Sequence, residues 1–394
     1  MKKAAKTLCT IVIFIVIFNL SAWFIPGFSD MYRLYIFPLV TIPYGKLTSL
    51  FSFSVGEILL VAAIFWIILL AIFSTSHLIT FLKYKFSKSL GKKYFSFQRF
   101  IYKFARHFYL ATAWVLVLVS VIMSLNCFAL YHCSSVDSDM PVVDEYSLEE
   151  LAALRDYVVR KCNSLSKQVS HDEKGNVIYA GDMEETAKKA IANISDMFPA
   201  LAGYTVTPKA LYFSDFISQQ YMQGYYFPFS MEANYNNTMS IMNKPFTMCH
   251  ELAHTHGYIL EDEANLIGFL ACIHSEDIVF QYSGYLGVLN YINNNFYKSV
   301  DKETYNSHIK ITDMVKHDNE FLTDESWAYV EAKAVVKTET VKKAASVYVD
   351  TTLKANGVLE GKASYTHVVG LIMEYYKYSP ELAEGPFMLT LADN

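Results

Sequence analysis

Residues 249–265 read CHELAHTHGYILEDEAN, and this stretch decides how the rest of the chain is interpreted. His250 and His254 are four residues apart, so both imidazoles project from one face of a helix. Gly257 follows three residues later, where a helix can end in a left-handed turn. The acidic cluster Glu261–Asn265 then favours the start of a second helix. We therefore expect two helices joined by a sharp reversal of the chain.

The spacing of these residues is typical of a zinc site. Two neutral imidazoles, His250 and His254, suit Zn²⁺. Glu251 lies beside such a metal, where it can take a proton from a water whose pKa zinc lowers to roughly 7, and pass that proton to a leaving amine. A hydrolytic zinc site needs a third protein ligand and an open fourth position. We predict Glu261 as the third ligand.

Neighbouring residues offer alternatives to this ligand set. Glu261 and Asn265 lie on one stripe of the second helix, so Asn265 is predicted to orient a ligand. Glu263 points about 200° away from Glu261 and is the alternative ligand. An acid at a helix N-terminus also complements the helix dipole, which would explain Glu261 without a metal. His256 projects to the opposite side of its helix from His254.

Three apolar runs precede this motif, and each reaches the roughly 20 residues needed to cross a bilayer. They are Thr7–Ile25, Ile58–Leu82 and Phe108–Tyr131. A basic N-terminus ahead of the first run is also typical of a cleaved signal peptide, but no small-residue cleavage site follows that run. We therefore predict three transmembrane helices within residues 1–131.

The charges divide between the two parts of the chain and predict its orientation. Residues 1–131 carry 13 Lys/Arg and 2 Asp/Glu, whereas residues 132–394 carry 20 and 36. Eight of the basic residues lie between the second and third runs, from Lys83 to Arg106. The positive-inside rule places this loop and the N-terminus in the cytoplasm, where the loop contacts membrane lipid, and residues 132–394 outside. The acidic second part argues against nucleic acid as a partner.

Residues 132–394 are long enough for one well-buried domain of the α+β class. Ser147 and Glu150 form a capping box that begins a helix at Ser147–Ser166. Strands are expected at Lys209–Ser214 and Tyr225–Asn236. Further helices are expected at Met183–Met197, Pro245–His256, Glu261–His274, Ile278–Phe296, Lys302–Lys316, Asp324–Leu353 and Tyr365–Tyr378. The six cysteines contain no CxxC pair and are compatible either with one or two disulfides or with buried thiols.

Two other features would serve a hydrolase. The segment Gly224–Asn236 precedes the motif, and Pro228 favours a sheet edge, where an extended substrate can pair. On this segment we predict that Glu232 and Asn234 contact the substrate. An oxyanion also needs a donor besides the metal, and Tyr282 and Tyr285 are predicted for that role.

The motif resembles a known arrangement. His250-Glu251-Leu252-Ala253-His254 followed by Glu261-x-x-Ala264-Asn265 is similar to the zincin peptidases whose third ligand is a glutamate, the gluzincins. Asn265 stands where those peptidases commonly have Asp. The turn at Gly257 looks more like metzincins, which usually have a histidine where this chain has Leu260.

A resemblance to one family covers most of the chain. The chain is similar to a family of bacterial membrane proteins known as domain of unknown function 3810. The similar segments are the N-terminal apolar runs, Pro228–Asn234, Cys249–His254, Glu261–Asn265, Tyr282–Tyr285, Leu353–Gly357 and Ser364–Tyr365. The resemblance implies a bacterial source and a zincin-like fold, and it brings no known substrate.

These observations lead to three functional hypotheses. The first is a zinc metallopeptidase, anchored in the bacterial cell membrane, that hydrolyses peptide or protein substrates outside the cytoplasm. The second is a zinc-dependent amidase that acts on cell-wall peptides. The third is a non-catalytic zincin-like domain for binding or sensing, which the intact general base Glu251 disfavours.

Overall fold

A computed structural model describes residues 2–86, 92–136, 146–358 and 367–378. Within these ranges the protein is mostly helical, with a three-stranded sheet. Three apolar helices near the N-terminus are followed by a compact α+β part that contains residues 250–265.

Among the described residues, the N-terminal part contains five α-helices, and three helices there are long and apolar enough to cross a membrane. The five are α1 (Lys2–Phe24), α2 (Phe28–Met31), α3 (Phe37–Thr48), α4 (Val55–Phe86) and α5 (Lys92–Met123). The candidate spans are Lys3–Phe24, Val55–Ile79 and Phe104–His132, as the apolar runs predict. The most apolar stretch of the second span is nowhere buried inside the protein, so its side chains are available for contact with lipid. Part of the predicted basic loop, including Lys88, lies outside the described residues.

The segment between the first and second spans folds against the C-terminal part. The short helix α2 continues through a π-helical turn, Tyr32–Ile36, into α3. The Tyr44 hydroxyl on α3 donates to the carbonyl of Phe229 at 2.5 Å. The two parts of the protein are therefore joined by direct contacts as well as by the chain.

The sheet has the order β1-β3-β2, with β1 at Lys209–Ala210, β2 at Gly224–Phe227 and β3 at Glu232–Tyr235. β1 is parallel to β3, and β2 is antiparallel to it. The strand predicted over Tyr225–Asn236 is thus a hairpin, because the chain turns where Met231 adopts a φ of 54°. β3 is the central strand, and β2 lies at an edge.

Most of the C-terminal part is helical. Its helices are α6 (Leu148–Leu165), α7 (Met183–Asn193), α8 (Ser214–Gln219), α9 (Lys244–Thr255), α10 (Glu261–Ile273), α11 (Ile278–Ser299), α12 (Lys302–Ser307), α13 (Asp313–Asp318), α14 (Asp324–Lys333), α15 (Thr338–Ala355) and α16 (Val368–Tyr378). The predicted capping box at Ser147 and Glu150 is present. Two predicted helices each divide into a pair, α12 with α13 and α14 with α15. The predicted start of the last helix, Tyr365, lies outside the described residues.

The core of the C-terminal part lies between α6, α9, α10 and α11. Leu154, Leu252, Phe269 and Phe280 are completely buried there. Burial of each such side chain contributes about 1.5–3 kcal/mol. All six cysteines are free thiols, so the disulfide alternative is not realised in this structure. The helices that carry the motif are therefore held within the buried core of the C-terminal part.

Candidate metal centre

Helix α9 presents the two histidines and then ends abruptly. Pro245 occupies its first turn, where a missing N–H costs nothing. The helix ends at Thr255, and Gly257 has a φ of +91° in the left-handed region. The backbone amide of Tyr258 donates to the carbonyl of Ala253 at 3.2 Å and closes this turn. The predicted reversal after the motif is therefore present.

Helix α10 brings the acidic cluster back to the histidines. Gly268 permits a close approach, because a Cβ at this position would lie 3.3 Å from the backbone nitrogen of His250. Glu261 is the first residue of α10, and its Oε2 lies 3.2 Å from His250 Nε2 and 3.8 Å from His254 Nε2. The two Nε2 atoms are 3.1 Å apart. The structure thus brings together the three residues that the sequence predicts as ligands.

This arrangement fits a zinc ion. Bonds of about 2.0–2.1 Å in tetrahedral geometry separate neighbouring ligand atoms by about 3.3 Å, close to the three distances in the cluster. His254 Nδ1 lies 2.7 Å from the carbonyl of Tyr258, which can only accept a hydrogen bond. In the neutral imidazole, the form that binds a metal, the proton therefore sits on Nδ1, and the Nε2 lone pair faces the cluster. The turn at Gly257 both ends α9 and fixes this tautomer.

The charges within the cluster shift the pKa values of its members. Burial lowers the pKa of His254, but the hydrogen bond and charge of Glu261 outweigh burial and raise it to about 9. For His250 burial prevails, so its pKa falls below the ordinary value. Burial opposes ionisation of Glu261, yet its hydrogen bonds to the two histidines hold its pKa well below the usual range. Glu261 therefore supplies the negative charge that a divalent cation requires.

Glu251 lies beside the three ligand residues and not among them. Its side chain is buried against β2, where it interacts with the backbone amide of Tyr226. Its Oε2 has no hydrogen-bond partner within the described part of the chain. Burial raises the pKa of Glu251 to about 8. A carboxyl group with one unpartnered oxygen beside the ligand atoms is placed to exchange a proton with a water bound there.

Asn265 lies one turn after Glu261, as the stripe on α10 predicts. Its side chain lies near the His250 imidazole and the phenol of Tyr291, although His250 Nδ1 and Asn265 Nδ2 make no hydrogen bond among the described residues. Tyr291, on α11, also interacts with the charge of Glu261. No motif or spacing marks Tyr291 in the sequence, and tyrosine is abundant, with 29 in the chain. It is a further residue of the site that sequence reasoning missed.

The centre lies in a cleft of about 700 Å³. One wall is formed by β2, and another is formed by α9 and α10. The cleft is also lined by Cys127 and Tyr131 of the third span, by Asn290, Tyr291 and Asn294 of α11, and by Lys342, Ala345, Ser346 and Val349 of α15. A cleft of this volume can hold several residues of an extended peptide.

The structure places the two tyrosines predicted as oxyanion donors away from this cleft. The Tyr282 hydroxyl donates to Asp318 at 2.8 Å, and its side chain is completely buried. Tyr285 is buried against Tyr157 and Tyr376. Both therefore serve the packing of α11. Tyr282 and Tyr291 are nine residues apart and therefore project from opposite faces of α11. The face that carries Tyr291 lines the cleft, so the two predicted tyrosines do not.

Glu232 and Asn234, predicted to contact substrate, also lie outside the cleft. Both side chains are buried on the central strand β3. The Glu232 carboxylate accepts from the backbone amides of Val55 and Gly56 at 3.0 and 2.8 Å, and it pairs with Lys209. Glu232 therefore joins β3 to the start of the second span. Within the segment Gly224–Asn236, for which a sheet edge was predicted, β2 lies at the edge and β3 in the centre.

The two alternative ligands have other partners. The Glu263 carboxylate accepts from the backbone amide of Val136 at 2.9 Å. His256 is buried between Thr205 Oγ1 and the carbonyl of Ala200, at 3.1 and 3.0 Å. Neither belongs to the cluster of His250, His254 and Glu261.

Comparison with known proteins identifies the family of the chain. A family model described as a protein of unknown function (DUF3810) matches residues 32–373. No curated protein and no solved structure matches the chain. The matched range includes the second and third spans, the sheet and both helices of the metal centre. The chain therefore belongs to the DUF3810 family.

Proposed function

We propose that this protein is a membrane-anchored zinc metallopeptidase of zincin type that hydrolyses peptide bonds outside the bacterial cytoplasm. One observation carries the proposal. Nε2 of His250, Nε2 of His254 and Oε2 of Glu261 converge as a set of three ligands, with the unpartnered carboxylate oxygen of Glu251 beside them. A structural zinc site is closed by four protein ligands and has no use for a general base.

The roles of the residues follow from their positions. His250, His254 and Glu261 would hold the zinc ion, which when bound would supply a water of lowered pKa and polarise the scissile carbonyl. Glu251 takes a proton from the attacking water and gives it to the leaving amine. Asn265 lies near the His250 imidazole, where its amide can orient that ring when the metal is bound. Tyr291 offers a phenol on the cleft wall that can donate to the developing oxyanion.

The edge strand favours a peptide as substrate. β2 has a strand partner on one side only, in the sheet that the described residues form. Its backbone lines the cleft from Gly224 to Tyr226. An extended peptide can pair with such an edge. A peptide paired with β2 would have its carbonyl groups close to Glu251, which is buried against the same strand.

The substitution Glu251→Gln tests the proposal. Gln keeps the shape of the side chain but cannot accept the proton, so hydrolysis should fall by at least ~10²-fold. The full-length protein and the variant would be compared on a library of quenched fluorescent peptides, with zinc content measured on both. We expect equal zinc and lost hydrolysis. Hydrolysis by the variant at the parent's rate would contradict the mechanism.

A further inference from the structure

The cleft has a wall made by a membrane helix. Cys127 and Tyr131 belong to the last turns of the third span, and both line the same cleft as His250 and Glu261. The Tyr131 phenol interacts electrostatically with the Glu261 carboxylate. The metal centre therefore lies next to the end of a membrane-spanning helix.

The edge strand leads directly to the ends of the membrane helices. The carbonyl of Pro228, just after β2, accepts from Asn126 Nδ2 of the third span at 2.7 Å. The ring of Phe227, the last residue of β2, packs against Gly56 in the first turn of the second span. A polypeptide paired with β2 would therefore leave the cleft, at its Phe227 end, among the ends of the spans.

Exposed aromatic side chains indicate the level of the bilayer surface beside this strand. Glu57, in the first turn of the second span, accepts from the backbone amides of Tyr212 and Phe213 at 2.9 and 2.8 Å. The side chains of Tyr212, Phe213 and Phe216 are exposed, Tyr212 by 86%. Aromatic residues beside span ends are typical of the membrane–water interface. The phenol of Tyr225 on β2 interacts with both Glu57 and Glu251, so this level is close to the metal centre.

Away from the membrane helices the lining of the cleft is mixed. It contains the amide side chains of Gln223, Asn243, Asn290 and Asn319 and the ammonium of Lys342, together with the apolar residues Met222, Ala345 and Val349. The cleft thus joins residues of a membrane helix, Cys127 and Tyr131, to a part that offers amide and ammonium groups for hydrogen bonds. A polypeptide that emerges from a bilayer likewise passes from contact with membrane helices and lipid into water.

We propose that the substrates are polypeptides anchored in the same membrane, which are cut in the stretch that adjoins their transmembrane segment. This inference rests on the proposed peptidase function and adds the substrate class. The membrane-proximal part of the substrate lies against Tyr131 and the end of β2, and the part that extends into solvent leaves past α11 and α15. The distance between bilayer and scissile bond is then set by the fold.

A substrate with a repeated tail tests this inference. It has one transmembrane helix followed by five identical unstructured blocks of about 12 residues, so the first block ends within about 40 Å of the bilayer when fully extended. Identical blocks separate distance from sequence preference. The full-length protein would be reconstituted with it in phosphatidylcholine and phosphatidylglycerol vesicles, and the cut positions read by mass spectrometry. The controls are Glu251→Gln and the same tail without its transmembrane helix.

We expect the first two blocks of the anchored substrate to be cut at least ~10-fold more than the last two, and the free tail to be cut evenly and more slowly. Even or distal cutting of the anchored tail would overturn the inference and leave the peptidase function intact. No cutting of either substrate that depends on Glu251 would instead refute the proposed function, and the inference with it.

A second measurement does not depend on activity. Glu251→Gln protein would be irradiated with the anchored substrate, which carries a photoreactive residue in either its first or its last block. We expect the first block to crosslink to the segments around Tyr131 and Tyr226. Crosslinks to these segments from the last block alone would contradict the proposed arrangement.

Discussion

Glu261 and Glu263 are two residues apart, yet they lie in different surroundings. Glu261 faces the two histidines, whereas Glu263 is buried against the backbone amide of Val136. Burial raises the pKa of Glu263 to about 7, so this carboxyl is poorly suited to balance the charge of a cation. The position on the helix, and not the residue type, decides which acid lies against the two histidines.

We therefore predict that Glu261→Ala lowers zinc affinity by more than about 100-fold, since loss of a ligand should exceed the 10–100-fold effect of removing a residue that merely orients one. Glu263→Ala, the matched control, should change zinc affinity little. Competition titration with a chelating dye on the full-length protein measures both. If Glu263→Ala removed the zinc and Glu261→Ala retained it, the ligand assignment would be wrong.

Tyr282 and Tyr291 allow a similar comparison within α11. Tyr291→Phe should lower kcat by at least about 10-fold with zinc retained, because the phenol on the cleft wall is lost. Tyr282→Phe should leave kcat unchanged and lower the free energy of unfolding by about 1–3 kcal/mol, because Asp318 loses a buried donor. Steady-state kinetics and thermal unfolding separate the two effects. A kinetic defect in Tyr282→Phe with normal stability would contradict these assignments.

At the level of elements, the sequence predicted α9 and α10 well because several local signals agree there. Apolar periodicity, Gly257 and the acids at the start of α10 all indicate the same pair of helices. Gly268 lies on the same stripe of α10 as Glu261 and Asn265, and at this glycine α10 approaches His250 of α9 closely. Where local and tertiary requirements coincide in this way, the sequence suffices to predict that His250, His254 and Glu261 lie together.

Other elements were not readable because the tertiary structure decides them. The turn between β2 and β3 contains no Gly or Asn, and Met231 adopts its left-handed conformation inside the protein. The break between α14 and α15, at Ala334–Lys337, contains neither Pro nor Gly, so an unbroken helix was the natural prediction. The direction of each tyrosine on α11 depends on which face packs on the core, and periodicity alone did not resolve this.

The contact between the sheet and the second span suggests a test of stability. Lys209 Nζ pairs with Glu232 and donates to the carbonyl of Thr48 at 2.7 Å, with almost no exposure to solvent. Lys209→Met leaves the Glu232 charge buried and unpaired, which should cost about 3–5 kcal/mol. The control Lys174→Met removes an exposed ion pair with Glu325 and should cost less than about 1 kcal/mol.

Thermal unfolding of the full-length protein in detergent measures the two variants side by side. We expect a marked fall in Tm for Lys209→Met only. Equal Tm values for the two variants would mean that the contact between the sheet and the second span contributes little to stability.

At the scale of the whole molecule, the three spans and the charge distribution predict an orientation. The basic residues between the second and third spans should lie in the cytoplasm, and the metal centre outside. An alkaline phosphatase fused after Asn394 should therefore be active, since this enzyme folds only outside the cytoplasm. A fusion in the loop Lys83–Arg106 should be inactive. Activity of the loop fusion alone would invert the topology and place the proposed hydrolysis in the cytoplasm.

The central claim is that His250, His254 and Glu261 bind one zinc ion, and metal content tests it most directly. The full-length protein, purified without chelators, would be analysed by inductively coupled plasma mass spectrometry beside the double variant His250→Ala/His254→Ala. A matched double variant, His308→Ala/His317→Ala, removes two histidines that lie away from the cleft. We predict about one zinc per chain in the parent and in the matched variant, and none in His250→Ala/His254→Ala. A parent without bound transition metal, or full retention of zinc by His250→Ala/His254→Ala, would contradict the claim.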